Sequence, residues 1–169
     1  MDTVPPNAFV RPACVIDCSD QAAKDEDFLL SVDHIRSWEK QHGEIEEACW
    51  VLMRTDWSKR SGAAYLNMRD DGAHTPGPSA DAIRFLIEER AITGFGTETV
   101  GTDAGQGAHL SPPYPAHYLL HGAGRYGLQC LNALDQLPPR GAMLICPPLK
   151  ILNGSGSPTR VLALTPRAT

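Results

Sequence analysis

The chain has 169 residues, 42% of them hydrophobic and 21% charged, and a net charge of -5. That length suits one domain or most of one, with enough apolar material for a core. The scattered Lys and Arg exclude the basic stripe of a nucleic-acid surface, no apolar run approaches the ~20 residues of a membrane span, and the first residues lack a secretory pattern.

Ala13–Cys18 is a short apolar run that predicts a buried strand. Ser31 suits the N-cap of a helix from about Val32 to Gln41, with Ile35 and Trp38 on one face. Gly43 suits its stop. Ala48–Arg54 predicts a second strand. Thr55 to Pro78 reads as a long irregular segment, a length that points to function or disorder. Ser79 caps a second helix reaching about Arg90, with Ile83, Leu86 and Ile87 inward. Ile92–Val100 predicts a strand whose glycines mark a close approach. Gly101–Pro115 is a second long loop, followed by a short helix at His117–His121. Tyr126–Gln129 reads as a strand and Asn132–Leu137 as a helical turn. Met143–Cys146 and Val161–Thr165 close the pattern as strands. Strands and helices alternate at first and strands dominate later, which predicts an α/β fold with a mixed sheet in a single domain over 1–169.

Five cysteines are present, with no CxxC pair. Cys14 and Cys18 on one strand would stand about 13 Å apart, beyond the ~7 Å that a disulfide spans. All five are expected to be reduced thiols in a cytoplasmic protein.

Four polar residues could carry chemistry. His117 is a potential metal ligand, or a helix-start His whose ring bonds a backbone carbonyl. His121 lies one helical turn further, but an HExxH site would need Glu where Tyr118 stands. Gln129 interrupts an apolar strand; it is a bonded core amide, or an oxygen that contacts a metal or orients its water. Asp103 follows a strand and caps a turn or serves a site. Gly154–Pro158 lacks the pattern of a nucleophile elbow or a phosphate loop and reads as a tight connection. Glu44, Glu46 and Glu47 form a solvated turn rather than an acid pair.

In order along the chain, several segments resemble the cyclase-type metal-dependent hydrolases. They are Val15-Ile16-Asp17, Val51 to Trp57, Pro76-Gly77 with its helix, and Gly94 to Asp103. Ala116-His117, Leu119-Leu120, Leu131 to Leu137, Pro148-Leu149-Lys150 and Gly156 to Val161 continue the series. The resemblance implies a swivelling β/β/α domain that hydrolyses an amide or cyclic amide bond in a small aromatic compound, of the isatin hydrolase or arylformamidase type. It implies His117 and Gln129 as metal-site residues, with Gln129 also catalytic through the metal-bound water. Gln rather than Glu at 129 favours one divalent ion, manganese or zinc, over two. Trp57, Tyr65 and His74 from the long loop would line the substrate pocket.

The family's HxGTHxDxPxH signature is absent from these residues. The chain is therefore expected to be the C-terminal portion of such a domain, N-terminally truncated, with metal binding weak or absent and activity impaired on its own. The competing expectation is a non-catalytic remnant or one piece of a split assembly. Family members imply a homo-oligomer, a dimer or larger. Strands 13–18 and 48–54 are expected to form an adhesive edge.

Overall fold

The structure, a computed structural model, describes residues 2–166. Met1 and residues 167–169 of the expected 1–169 span lie outside the described residues. The chain enters through a 3-10 turn into β1 (Val10–Asp17), which starts three residues before the expected strand. A short helix α1 (Ser19–Lys24) and a two-residue strand β2 (Leu29–Leu30) follow. α2 spans Val32–His42. Ser31 caps it by accepting from the His34 N–H, and Gly43 ends it at φ 89°.

β3 (Trp50–Arg54) begins two residues later than expected, because Ala48 adopts φ 55° and breaks the extended run. The long segment that follows is ordered in small pieces. It contains α3 (Ala63–Leu66), the hairpin of β4 (Met68–Arg69) with β5 (Gly72–Ala73), and β6 (Gly77–Pro78), which pairs with β2. α4 (Ala80–Glu88) buries Ala82, Ile83 and Leu86 and leaves Ile87 half-buried. β7 (Gly94–Thr97) is shorter than the expected 92–100. α5 (Pro115–Gly122) and β8 (Tyr126–Leu128) lead through a 3-10 turn at Leu134–Gln136 to β9 (Ala142–Ile145) and β10 (Leu162–Leu164).

Six strands form one mixed sheet in the order β10-β9-β1-β3-β7-β8. β1, β3, β7 and β8 are mutually parallel, and β9 and β10 run antiparallel. The strands expected to form an adhesive edge, 13–18 and 48–54, are central instead; β10 and β8 are the edges. Their unbroken apolar runs reflect burial on both faces rather than an unpaired margin.

Alternate residues of β1 and β3 feed two cores. Cys14, Ile16, Val51 and Met53 pack with Ile35 of α2, Leu86 of α4 and Leu120 of α5. Val15, Trp50, Leu52 and Leu144 pack on the opposite face with Phe9, Leu128 and the irregular segment at Leu131 and Leu134. Glycines let the layers close. A Cβ at Gly94 would overlap the Trp50 ring, and one at Gly96 would stand 2.8 Å from Leu131. Among the described residues no helix is long and apolar enough to cross a membrane.

Candidate active site

The four parallel strands end at the same margin of the sheet, which is where ligands bind in open α/β sheets. The chain leaves β7 through Glu98 to Asp103 and leaves β8 through Gln129 to Leu131. α5 begins between these two connections. His117 is its third residue, so the helix start sets the ring beside the margin.

Asp103 is 4% exposed and organises this helix start. Its carboxylate accepts the Ala116 N–H at 2.6 Å and the His117 N–H at 3.2 Å. It also bonds Nδ1 of the His117 ring at 2.5 Å. An ionised carboxylate only accepts, so a neutral His117 carries its proton on Nδ1 and keeps the Nε2 lone pair free. Asp103 thus holds the start of α5 and orients the His117 ring. The backbone-carbonyl partner considered for His117 is replaced by this carboxylate and by the Thr102 hydroxyl at 3.3 Å.

The His117 side chain is 52% exposed. The His121 ring lies 5.5 Å away in an edge-on arrangement. His121 Nδ1 meets the Arg125 carbonyl at 3.2 Å, so it too donates from Nδ1 and leaves Nε2 unprotonated when neutral. Gln129 is exposed, not a core amide, and its Oε1 accepts the Gly101 N–H at 2.5 Å. That bond ties the ends of β7 and β8 together and leaves the amide NH2 as a donor.

His117, His121, Gln129 and the exposed thiol of Cys130 all line one open cavity of about 1060 Å3. Structure thus brings His117 and Gln129 together. Trp57, Tyr65 and His74 are not part of its lining. Trp57 is 1% exposed; its Nε1 donates to the Tyr65 carbonyl at 2.8 Å, and the Arg60 guanidinium covers its ring at 3.7 Å. The Tyr65 hydroxyl donates to the Glu98 carbonyl at 2.7 Å. Burial, with the Cys130 thiol beside it, raises the Tyr65 pKa. His74 is sandwiched between Asp71 and Asp27, and these bonds raise its pKa. The polar atoms of all three are spent on holding the 55–78 segment in place.

A residue that sequence reasoning missed is Glu98, buried at 1% exposure. Its carboxylate accepts the Thr55 N–H at 2.6 Å and the Ser58 hydroxyl at 2.6 Å. It clamps the chain leaving β3 to the chain leaving β7, and it marks where β7 stops. The signal was a lone charge between Thr97 and Thr99 at the end of an apolar strand.

Could these residues hold a metal? Among the described residues no group of three or more His, Cys, Asp and Glu side chains is placed to do so. Yet a His whose Nδ1 rests on a buried carboxylate, with Nε2 open to a cavity, is the arrangement that metal-ligating histidines adopt. The donors fit part of a ligand set. A catalytic site needs about three protein ligands, so they do not make a whole one.

The chain belongs to the cyclase family: the Cyclase model, described as "Putative cyclase", matches residues 1–104. It is similar to an isatin hydrolase of Roseibium aggregatum, 52% identical over 99% of this chain and 64% of that protein. It is also similar to the structure of isatin hydrolase A from Labrenzia aggregata bound to benzyl benzoate. That chain is 70% identical with a TM-score of 0.96, over 97% of this chain and 64% of that one. A Bacillus stearothermophilus protein described as a "predicted metal-dependent hydrolase" aligns with a TM-score of 0.68 at 25% identity, covering 95% of this chain and 66% of that one. The chain thus spans 64% of the length of both isatin hydrolases.

Proposed function

We propose that this chain supplies the His117–Gln129 side of a metal-dependent hydrolase that opens an amide or cyclic amide in a small aromatic compound. Isatin is the substrate favoured by the relatives' identity; an arylformamide is the neighbouring choice. The observation that carries the reading is the His117 ring, fixed by buried Asp103 with its free nitrogen toward the cavity. One divalent ion, manganese or zinc, would polarise the amide carbonyl and lower the pKa of its water. His117 would hold it through Nε2. Asp103 keeps the ring proton on Nδ1 and so keeps Nε2 available. Gln129 would touch the ion or orient its water, with its NH2 as the remaining donor. Residues 1–169 would form the C-terminal portion of a single domain in a cytoplasmic homo-oligomer.

A non-catalytic role is the second reading, and the short ligand set favours it. Two measurements separate them. Calorimetric titration of the metal-free chain with zinc or manganese should give weak binding that His117→Ala abolishes. Isatin hydrolysis should be negligible for the chain alone. It should rise when the chain is fused to the part of the Roseibium aggregatum protein that it does not span, and fall again with His117→Ala. Turnover in the fused protein that ignores His117→Ala would sink the hydrolase reading of this site.

A further inference from the structure

Three sulfur-bearing side chains meet in a small cavity at the opposite ends of β1 and β3 from the His117 site. This cavity, of about 240 Å3, has Cys14, Cys49 and Met143 in its lining and shares no lining residue with the His117 cavity. Strand pairing explains the meeting. Side chains alternate along β1, so Pro12 and Cys14 point to the same face of the sheet. β9 sets Met143 opposite Pro12, which brings its thioether to that face. β3 sets Trp50 opposite Ala13, and Cys49, the residue before it, packs in the same core cluster as Cys14. Neighbouring strands β9, β1 and β3 thus bring one sulfur each to one place.

The Cys14 and Cys49 thiols are hydrogen-bonded to each other; that bond, followed by burial, holds Cys14 well above the ordinary thiol range. Cys49 Sγ also donates to the Trp50 carbonyl at 3.2 Å. Two thiols close enough to share a proton are close enough to share an ion. Met143 is 37% exposed, and its unbranched side chain can close on the cavity from the solvent side. Harder ligands are missing or spent. No His lines the cavity, and its one carboxylate, Glu46, is tied to Arg140 at 2.6 Å. Arg140 is fixed in turn by the carbonyls of His42 and Glu44, each at 2.9 Å. Its charge favours the thiolate form of Cys14.

We propose that Cys14, Cys49 and Met143 bind one monovalent copper ion. Thiolate and thioether sulfur select copper(I) among the first-row metals. Structural zinc sites take four ligands, and among the described residues no group of three His, Cys, Asp and Glu side chains is placed to hold a metal. On binding, both thiols release their protons to water and the ion takes the place of the proton that they shared; no electron is transferred. The two thiolates and the ion together carry one negative charge, which the fixed Arg140 guanidinium offsets. The entering ion needs little room, because it sheds its water for sulfur. Held there, it ties β9, β1 and β3 together. None of this rests on the hydrolase reading.

The test is anaerobic titration of the chain with copper(I) held by a coloured chelator, with ascorbate as reductant. One equivalent should pass to the chain, the thermal midpoint should rise, and X-ray absorption should find sulfur alone around the ion. Cys14→Ser and Cys49→Ser should each weaken binding roughly hundredfold. Met143→Leu should weaken it roughly tenfold and remove one sulfur neighbour. Cys130→Ser should leave binding unchanged, which separates this site from the exposed thiol. Met143→Leu nearly conserves volume at an exposed position, so it carries the test if a buried Cys variant fails to fold. Binding that ignores Met143→Leu, that disappears with Cys130→Ser, or that shows nitrogen or oxygen neighbours would overturn the assignment. So would a chain that takes no copper from the chelator, or one from which equimolar zinc displaces it.

Discussion

Replacing Asp103 by Asn removes a charge and almost no volume. The carboxylate receives the Ala116 and His117 N–H groups and the His117 ring, inside a site 4% exposed. Asn keeps one acceptor oxygen and can retain the Ala116 bond. Its NH2 group then faces two donors. Hydrogen bonds to a charged acceptor contribute about 1.5–3 kcal/mol, and an unpaired buried donor costs about 1–3 kcal/mol. The ring bond lies at a half-exposed side chain and is discounted accordingly. The expected loss is about 2–4 kcal/mol. With a urea slope of about 2 kcal/mol per molar, the unfolding midpoint should fall by roughly 1–2 M at unchanged slope. The ring gives a second readout. Asn donates to Nδ1, so nitrogen NMR should find the proton moved from Nδ1 to Nε2, with the free lone pair lost from the cavity side. A midpoint shift below about 0.3 M, or an unchanged tautomer, would refute the role assigned to Asp103.

Other changes test other joints of the molecule. Gly94→Ala drives a Cβ into the Trp50 ring and the Tyr126 carbonyl, and it should cost about 1–3 kcal/mol in denaturant unfolding. Ser31→Ala removes the cap of α2 and should cost about 1 kcal/mol in the same assay. Glu26 is held below its usual range by Arg60 and Asn67, so its contribution is present above about 4.5 and is lost as pH falls through the lower folded value. His74 is raised by Asp71 and Asp27; its contribution is full below about 6.5 and is lost as pH rises through the higher folded value. Thermal midpoints of Glu26→Gln and His74→Asn, followed from about pH 3 to about pH 9, should therefore converge on wild type at the acid end and the alkaline end respectively. Curves parallel to wild type would contradict both assignments.

Features written in short stretches were legible. Ser31 and Gly43 bracket α2 by local capping and by positive φ, which depend on few neighbours. The apolar runs at 13–18 and 48–54 declared buried strands, but their place in the middle of the sheet follows from long-range pairing that no local pattern encodes. β2 and β6 escaped notice because Leu29-Leu30 and Gly77-Pro78 are too short to show a period. α1 did so because only Ala22 of its six residues is buried. At the site, His117 and Gln129 were found through family resemblance, and residue type alone left each with a bland alternative. Glu98 stayed hidden because an acid within an alternating run looks like a solvent-facing residue until Thr55 and Ser58 close over it. Trp57 and His74 look like pocket residues by type, and three-dimensional bonding to the chain's own loop removes them from the cavity lining.

The distribution of thiols has a practical consequence. Cys14, Cys18, Cys49 and Cys146 are buried, and burial pushes Cys18 and Cys146 up to about 12. Thiolate is the form that attacks alkylating reagents. Cys130 alone is exposed, next in sequence to Gln129 and on the wall of the same cavity. A maleimide dye applied near neutral pH should therefore mark one position out of five without any mutagenesis. Its emission, and the rate at which the bond forms, would report directly on what fills the cavity, so the protein comes with a built-in optical probe at the place where one is most needed.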